Sequence, residues 1–201
     1  MNRLTAVLGF AYVAVMAGVI LIGPLGYPGY DSLSQHISVL GAAGAPQGGM
    51  VSGLFIITSV LLVAFWLLHL KALPFSAMRT AALILLALNG LGLLGAGVYP
   101  CDFECARTDP TVSQQLHDLF GGVGYLSGVI GLFALAAGLR RLEGWSRLVP
   151  LVLACAVIAA LSLVMIAPEF AWHGAAQRVL EAAFMIVIVA AAMRLWRSSA
   201  R

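Results

Sequence analysis

The last apolar stretch of the chain begins with polar side chains whose spacing brings them together on a helix. His173, Gln177 and Glu181 follow at intervals of four residues and therefore share one helix face. Arg178 precedes Glu181 by three residues, which is within ion-pair reach. Glu181 lies about 10 Å inside the apolar stretch at a rise of about 1.5 Å per residue, where an unpaired charge is costly. We expect both charged side chains to face a bundle interior, bonded either to each other or to partners on the fourth apolar stretch and the short outer helix that follows the first one. Their role is a ligand site or a salt bridge that fixes helix register.

A histidine and an aspartate open the fourth apolar stretch. His117 and Asp118 follow Ser113, which we expect to cap the N-terminus of the helix. The helix dipole favours Asp118 and disfavours a protonated His117 in the first turn. A neutral imidazole at this place suits a general base or a ligand. The structural alternative is an interfacial histidine that is hydrogen-bonded to the adjoining loop.

Serine hydroxyls in the first connecting segment are candidate nucleophiles. Ser34 or Ser38 would need His117 as the base, and Asp102 is the acid we expect within hydrogen-bond reach of that histidine. The chain has no GxSxG motif, so whether the site is catalytic stays open. The catalytic candidates are therefore Ser38, Asp102 and His117. The candidates for ligand binding are Asp31, Gln177, Arg178 and Glu181.

Three of the four histidines, His36, His117 and His173, fall on the same side of the expected membrane as most of the carboxylates. Imidazoles and carboxylates in these numbers would suffice for a zinc-like site. Their spacing matches neither HxxxH nor HExxH. We therefore predict no metal ligands, and the residues identify no cofactor.

These candidates are positioned by six long apolar stretches. The chain is 62% hydrophobic and 9% charged, whereas soluble domains contain about 25% charged residues. The apolar runs are continuous rather than alternating, which predicts α-helices and not a β-barrel. The sequence thus predicts an all-α integral membrane protein with a single six-helix domain over residues 1–201. The expected spans are about 4–24, 49–70, 79–99, 114–139, 147–167 and 172–197.

The charges separate between alternate connections of this bundle. Nine of the eleven basic residues lie at one set of span boundaries, namely Arg3, Lys71, Arg79, Arg140, Arg141, Arg147, Arg194, Arg197 and Arg201. Seven of the eight acids lie on the other side or in that half of a span. By the positive-inside rule, this distribution places both termini in the cytoplasm. The topology therefore accounts for the basic residues behind the net charge of +3, and this charge does not indicate nucleic-acid binding.

The connection between the first two spans contains a short amphipathic pattern. Asp31 is a candidate N-cap, and Leu33, Ile37 and Leu40 follow at helical spacing. This pattern predicts a short amphipathic helix that lies on or dips into the outer membrane interface.

Small and polar residues in the third and fourth spans predict tight contact between them. The patterns Gly121-x-x-Gly124 and Gly124-x-x-x-Gly128 allow helix backbones to approach closely. Asn89 is polar in the middle of the third span, and we expect it to hydrogen-bond between helices.

Two of the three cysteines, Cys101 and Cys105, share the loop between the third and fourth spans. In a bacterial inner membrane this loop faces the oxidising periplasm, where a disulfide is favoured over two free thiols. A zinc site is disfavoured because no second cysteine pair completes four ligands. Cys155 lies in a span, where we expect ordinary packing.

Four stretches of the chain carry a family resemblance. The segments 30–41 (YDSLSQHISVLG), 98–102 (VYPCD), 116–118 (LHD) and 177–181 (QRVLE) together resemble the bacterial six-helix membrane family catalogued as domain of unknown function 998. The family pattern maps onto Asp31, Ser38, Pro100, Asp102, His117 and Arg178. The resemblance implies a multi-pass protein of the bacterial inner membrane and candidate positions, but no reaction, because the family has no assigned activity.

Together these features predict a polar pocket that opens to the periplasm or the outer leaflet. We expect it to bind a membrane lipid or another amphiphile, and hydrolysis or transfer of that molecule stays open. One alternative is a structural or partner-binding subunit, whose polar groups would pair completely and leave no pocket. A small proton-coupled transporter that uses Arg178 and Glu181 is the less favoured alternative, since the inner halves of the spans carry few polar groups. Assembly into a homo-oligomer, or with another membrane protein, is compatible with both the amphiphile-binding protein and the structural subunit.

Overall fold

Six continuous apolar stretches form six α-helices in the computed structural model, which describes residues 2–198. The α-helices are α1 (Asn2–Ile22), α2 (Gly48–Ala72), α3 (Ala77–Val98), α4 (Val112–Leu139), α5 (Val149–Met165) and α6 (His173–Ser198). All six helical segments are long and apolar enough to cross a membrane, and residues 2–198 contain no strand. The predicted all-α six-helix membrane architecture is thus confirmed. Arg201, which contributed to the charge pattern, lies outside the described residues.

The helices form a closed ring in chain order. Each helix packs against the next one, and α1 also packs against α6. The contact between α3 and α4 is close because glycines meet there: a Cβ on Gly92 would lie 2.6 Å from the Cα of Gly124. Asn89 on α3 donates a hydrogen bond from Nδ2 to the carbonyl oxygen of Gly124, over 3.2 Å. Both features agree with the close backbone contact and the interhelical hydrogen bond predicted for these spans.

The two ends of the bundle differ in charge. One, here the basic end, comprises the N-terminus, the 73–76 and 140–148 connections and the C-terminal part of α6, with most of the basic residues. The other, here the acidic end, comprises the 23–47, 99–111 and 166–172 connections, with most of the acids. The assignment of the basic end to the cytoplasm, and of the membrane to the bacterial inner membrane, stays a prediction from the positive-inside rule and the resemblance.

The connection at 23–47 begins with a 3₁₀-helix at Gly23–Gly26, and the short helix expected from the sequence pattern lies later than predicted. The helix is a 3₁₀-helix, Ile37–Gly41, and not an α-helix that begins at Asp31. Asp31 instead closes a turn, because its carboxylate accepts hydrogen bonds from the Leu33 N–H and the Ser34 hydroxyl. Leu33 is 58% exposed. The apolar side of the 3₁₀-helix is buried rather than interfacial, in a cluster formed by Val19, Ile37, Leu40, Val51 and Phe55.

The start of α4 also differs from expectation. Thr111, and not Ser113, is the N-cap, since its hydroxyl oxygen accepts a hydrogen bond from the N–H of Gln114 at 3.2 Å. The Ser113 hydroxyl donates to the carbonyl oxygen of Pro100 over 2.7 Å. The prediction for Ser113 was wrong because a threonine two residues earlier offers the same cap and lengthens the helix by two residues.

The loop between α3 and α4 is closed by the predicted disulfide. Cys101 and Cys105 are bonded, and the backbone of Glu104 and Cys105 takes the left-handed conformation, with φ of 57° and 52°. The loop is tied to the first connection, because the N–H of Ala43 donates to the carbonyl oxygen of Cys101 over 2.8 Å. Cys155 is a buried free thiol in α5, as expected.

Candidate functional site

Two adjoining cavities lie in the acidic half of the bundle. We call them the wide cavity, of about 580 Å³, and the narrow cavity, of about 60 Å³. Their linings share Ser38, His117, Gly121, Tyr125 and Gln177. Polar groups that line only the wide cavity include Ser34, Gln35, His36, Glu104, Arg107, Asp118 and His173. Those that line only the narrow cavity are Tyr12, Asn89 and Glu181. The site therefore runs from a broad polar chamber to a small chamber that ends at a carboxyl group.

Glu181 is buried, at 4% exposure, and is held by two phenols. Its carboxyl oxygens accept hydrogen bonds from the hydroxyls of Tyr125 on α4, at 2.8 Å, and of Tyr12 on α1, at 3.4 Å. The hydroxyl of Tyr125 in turn accepts from Nε2 of Gln177 at 2.9 Å, and Oε1 of Gln177 accepts from the Ile37 N–H at 2.6 Å. One hydrogen-bonded chain thus connects four separate elements around the narrow cavity.

Arg178 does not pair with Glu181. Its guanidinium donates to the carbonyl oxygens of Gln35, at 3.0 Å, and Gly174, at 2.9 Å, and to the hydroxyl of Tyr30, at 2.5 Å. The guanidinium also lies 5.5 Å from the centre of the Tyr30 ring. Of the two alternatives from the sequence, bonding to partners on other elements is therefore the one observed. Arg178 fixes the first connection to α6 and lines neither cavity.

His117 presents one ring nitrogen to the cavities. Its Nδ1 lies 2.9 Å from the carbonyl oxygen of Tyr99, and because a carbonyl can only accept, Nδ1 carries the proton of the neutral ring. Nε2 is then a free acceptor. No hydrogen bond joins His117 to Ser38 or Asp102 among residues 2–198. The catalytic arrangement considered for these three residues is thus not assembled.

His36 and His173 form a pair at the other wall of the wide cavity. Their ring centres are 4.4 Å apart. His36 donates from Nε2 to the carbonyl oxygen of Ile166, at 3.1 Å, and His173 donates from Nδ1 to that of Phe170, at 2.8 Å. Each neutral ring therefore keeps one nitrogen as an acceptor. Burial is the largest effect on His36 and lowers its pKa, which the Ile166 hydrogen bond opposes.

The carboxylates of Asp31 and Asp102 form hydrogen bonds within the connecting loops and do not line the cavities. The Ser34 hydroxyl and then the Leu33 N–H stabilise the Asp31 carboxylate and lower its pKa. Thr111 does the same for Asp102, through its hydroxyl at 2.6 Å and its N–H at 2.9 Å. Neither aspartate lines the wide or the narrow cavity. The acids that do reach the wide cavity are Glu104 and Asp118, and Asp118 is paired with Arg107 at 3.6 Å.

The wide cavity extends between α4 and α5. Gly121 and Gly122 on α4 line it opposite Leu163 and Ile166. A Cβ on either glycine would meet no atom within 4 Å, and Gly122 is exposed. Gly122 lies ten residues after the start of α4 at Val112, a distance of about 15 Å along the helix. The gap therefore lies at a depth where the outer faces of the helices are apolar.

One group of three metal-ligating side chains occurs among residues 2–198. The sulfur atoms of Cys101 and Cys105 and a ring nitrogen of His117 lie within 4.8 Å of one another. Both sulfurs belong to the disulfide, and thiolates rather than disulfide sulfurs bind metals. With the disulfide intact, this group therefore provides a single imidazole ligand. The three histidines considered for zinc do not form such a group within the described chain.

Four of the seven predicted site residues thus line the cavities, namely Ser38, His117, Gln177 and Glu181. Tyr12 and Tyr125 were not predicted, although they hold the Glu181 carboxyl. A sequence signal for them exists, since both are phenols within long apolar spans and a buried phenol requires a hydrogen-bond partner.

A family model described as "Protein of unknown function (DUF998)" matches residues 7–194. No curated protein and no solved structure matches the chain. Because the family match spans nearly the whole sequence, the chain belongs to this family, in agreement with the resemblance drawn from its motifs.

Proposed function

We propose that this member of the DUF998 family binds a lipid or another amphiphile, with the polar head in the wide cavity and the tail in the gap between α4 and α5. The observation that carries the proposal is a cavity of about 580 Å³ that combines polar side chains with a gap between α4 and α5, where a Cβ on Gly121 or Gly122 would meet no atom within 4 Å. Small-molecule sites typically have volumes of about 300–1,000 Å³, so the chamber suits a head group.

The imidazoles favour a head group that donates hydrogen bonds. His36, His117 and His173 each commit one N–H to a backbone carbonyl and keep the other nitrogen as an acceptor. A hydroxyl or an ammonium group on the ligand would supply the missing donors. The charged side chains of the lining are Glu104 and the paired Arg107 and Asp118, so the chamber suits a head group without net negative charge.

Leu163 and Ile166 favour an apolar tail in the gap. They lie opposite the two glycines of α4, whose missing side chains leave room for a chain of methylene groups. At about 15 Å from the start of α4, such a tail would leave the cavity among the lipid acyl chains. A soluble ligand would gain nothing from an opening at this depth.

Binding without chemistry is the form of the proposal that the geometry supports. Nucleophilic hydrolysis needs a base in contact with its nucleophile and an acid that orients the base, and His117 has neither contact within residues 2–198. The purely structural alternative is weaker, because polar groups that pair completely would leave no cavity. Transport is also weaker, because the polar groups of both cavities belong to the acidic half of the bundle.

Native mass spectrometry of the protein, released from its membrane in mild detergent, tests the proposal. We expect a retained lipid-sized adduct in the wild type. Gly121→Leu should remove it, because the new side chain extends into both cavities from a position where a Cβ fits. Gly53→Leu is the matched control on α2, since a Cβ there also meets no atom within 4 Å and Gly53 lines neither cavity.

A second variant tests the head-group contacts. His117→Ala removes one acceptor, and we expect it to weaken retention of the adduct by about tenfold, the effect of one good hydrogen bond. Retention of the same adduct in Gly121→Leu and in wild type would refute the site. A wild-type spectrum without adduct, unchanged when extracted membrane lipid is added back, would favour the structural alternative.

A further inference from the structure

A third cavity lies at the basic end, away from His36, His117 and His173. It has a volume of about 570 Å³ and is lined by Glu143, Gly144, Arg147 and Arg194. Glu143, Gly144 and Arg147 belong to the connection between α4 and α5, where Arg147 lies in a 3₁₀-helix at Ser146–Leu148, and Arg194 belongs to the end of α6. Two guanidinium groups thus face one space together with a single carboxylate.

The guanidinium of Arg194 has no partner within residues 2–198. Its Nε is buried and makes no hydrogen bond, and the ion pair of the described chain is formed elsewhere, by Arg107 and Asp118. A guanidinium offers five N–H donors in a planar fork. A buried donor without an acceptor costs about 1–3 kcal/mol. The buried Nε of Arg194 is therefore available to an acceptor bound in the cavity.

The turn at Gly144 makes room for this arginine. Gly144 adopts a φ of 74°, in the left-handed region that favours glycine. A Cβ at this position would collide with the guanidinium of Arg194. The backbone thus passes close to the guanidinium without covering it, and the cavity stays open on that side.

The position of the cavity indicates the source of the acceptor. Arg194 lies near the end of a membrane-spanning helix, two residues before Trp196, which is 44% exposed and stacks beneath the guanidinium of Arg3. Exposed tryptophans and arginines at helix ends mark the level of the lipid head groups. Basic pockets between helices at this level bind phosphate-bearing head groups.

We propose that Arg147 and Arg194 form a phosphate-binding site at the basic end of the bundle, in the cavity that Gly144 keeps open. The site takes one phosphate group, whether on the head group of an anionic lipid or as free inorganic phosphate. Two forked guanidiniums exceed the single charge of Glu143, so the cavity favours an anion. This site is independent of the amphiphile proposal, since no residue is common to the two.

The test uses the full chain in a neutral detergent, with dioleoylphosphatidylglycerol, dioleoylphosphatidylcholine or inorganic phosphate added separately. Native mass spectrometry counts the retained molecules. We expect phosphatidylglycerol to be retained over phosphatidylcholine by about tenfold, and Arg194→Gln to abolish this preference. Displacement of the phosphatidylglycerol by millimolar inorganic phosphate would identify free phosphate as a ligand of the same site. If inorganic phosphate does not alter the retention of phosphatidylglycerol, the lipid head group would be identified as the ligand of the site.

Arg141→Gln is the charge-matched control, because Arg141 lies in the same connection and does not line the cavity. Arg147→Gln provides a second test if Arg194→Gln does not fold, since Arg147 is exposed. If Arg141→Gln and Arg147→Gln lower the retention of phosphatidylglycerol equally, the preference would come from the net charge of this end alone. That result would overturn the site. Equal retention of the two lipids, with no response to phosphate, would overturn it as well.

Discussion

Tyr125 on α4 and Glu181 on α6 are joined by a 2.8 Å hydrogen bond between two helices that are not neighbours in the ring. The bond crosses the interior of the bundle at the narrow cavity. Since Gln177 donates to the same phenol, the Tyr125 hydroxyl satisfies a buried amide and a buried carboxyl at once. This one oxygen therefore joins α4 to two side chains of α6, and Gln177 extends the chain to Ile37 in the first connection.

Replacing Tyr125 with Phe should destabilise the protein more than replacing Tyr12 with Phe. The Tyr125 change leaves a donor on Gln177 and an acceptor on Glu181 unpaired, which costs about 1–3 kcal/mol. The bond from Tyr12 to Glu181 is longer, at 3.4 Å, and supports a single group. SDS titration in mixed micelles measures the free energy of unfolding of both variants. Equal losses would show that the carboxyl has no preferred partner.

Arg178→Gln should loosen the first connection without unfolding the bundle. The change removes the hydrogen bonds to the Gln35 carbonyl and the Tyr30 hydroxyl, each worth about 1.5–3 kcal/mol when the donor is charged. We expect amide hydrogen exchange in residues 30–41 to accelerate at least about tenfold. Arg197→Gln, on an exposed position of the same helix, is the control. If amide hydrogen exchange in residues 30–41 does not change, the apolar cluster around Ile37 and Leu40 would be sufficient to keep this segment ordered.

The spans and the disulfide were predictable because their signals are local. A continuous apolar run specifies a helix in a membrane whatever its neighbours are. Two cysteines four residues apart, in a loop expected to face an oxidising compartment, favour a disulfide. The 3₁₀-helix at Ile37–Gly41 was not predictable in detail. Its bounds depend on Val51 and Phe55, which come later in the chain and bury its apolar side.

The candidate site was predictable in part, and the failures share a cause. Side-chain types predicted pairs of side chains, such as Arg178 with Glu181, but the structure satisfies Arg178 and all three cavity histidines largely with backbone carbonyls. Every residue has a carbonyl group, so no sequence pattern indicates which one a cation or imidazole will choose. For the same reason, the free nitrogen of His117 could not be assigned before the position of the Tyr99 carbonyl was known.

His36 should make the stability of the protein depend on pH below about 6.5. Burial lowers its folded-state pKa below the ordinary value of 6.5, so the unfolded chain binds a proton that the folded chain does not. Stability is then full above pH 6.5 and falls as the pH drops towards the folded-state pKa. The groups near the ring are His173 and Arg107, which lower the pKa further, and Asp118, which raises it.

Thermal unfolding in detergent from pH 8 to pH 5 measures this effect. The melting temperature of the wild type should fall with pH, and His36→Gln should flatten the part of the curve below pH 6.5. His173→Gln is the companion variant, because it removes the neighbouring ring at 4.4 Å. An unaltered slope in His36→Gln would assign the pH dependence to other groups.

Gly92→Ala should be destabilising, in contrast to Gly53→Ala. A Cβ on Gly92 would lie 2.6 Å from the Gly124 Cα and 2.7 Å from the Phe120 carbonyl oxygen, and these backbone atoms cannot move without separating α3 from α4. Overpacking of this kind costs about 1–3 kcal/mol. Gly53 is also within a membrane-spanning helix, but a Cβ there meets no atom within 4 Å, so alanine should leave stability unchanged or raise it by up to about 1 kcal/mol. The free energies of unfolding of Gly92→Ala and Gly53→Ala test this difference. Similar values would mean that the α3–α4 contact can widen enough to admit a methyl group. The narrow cavity, which this contact borders, would then be adjustable in width.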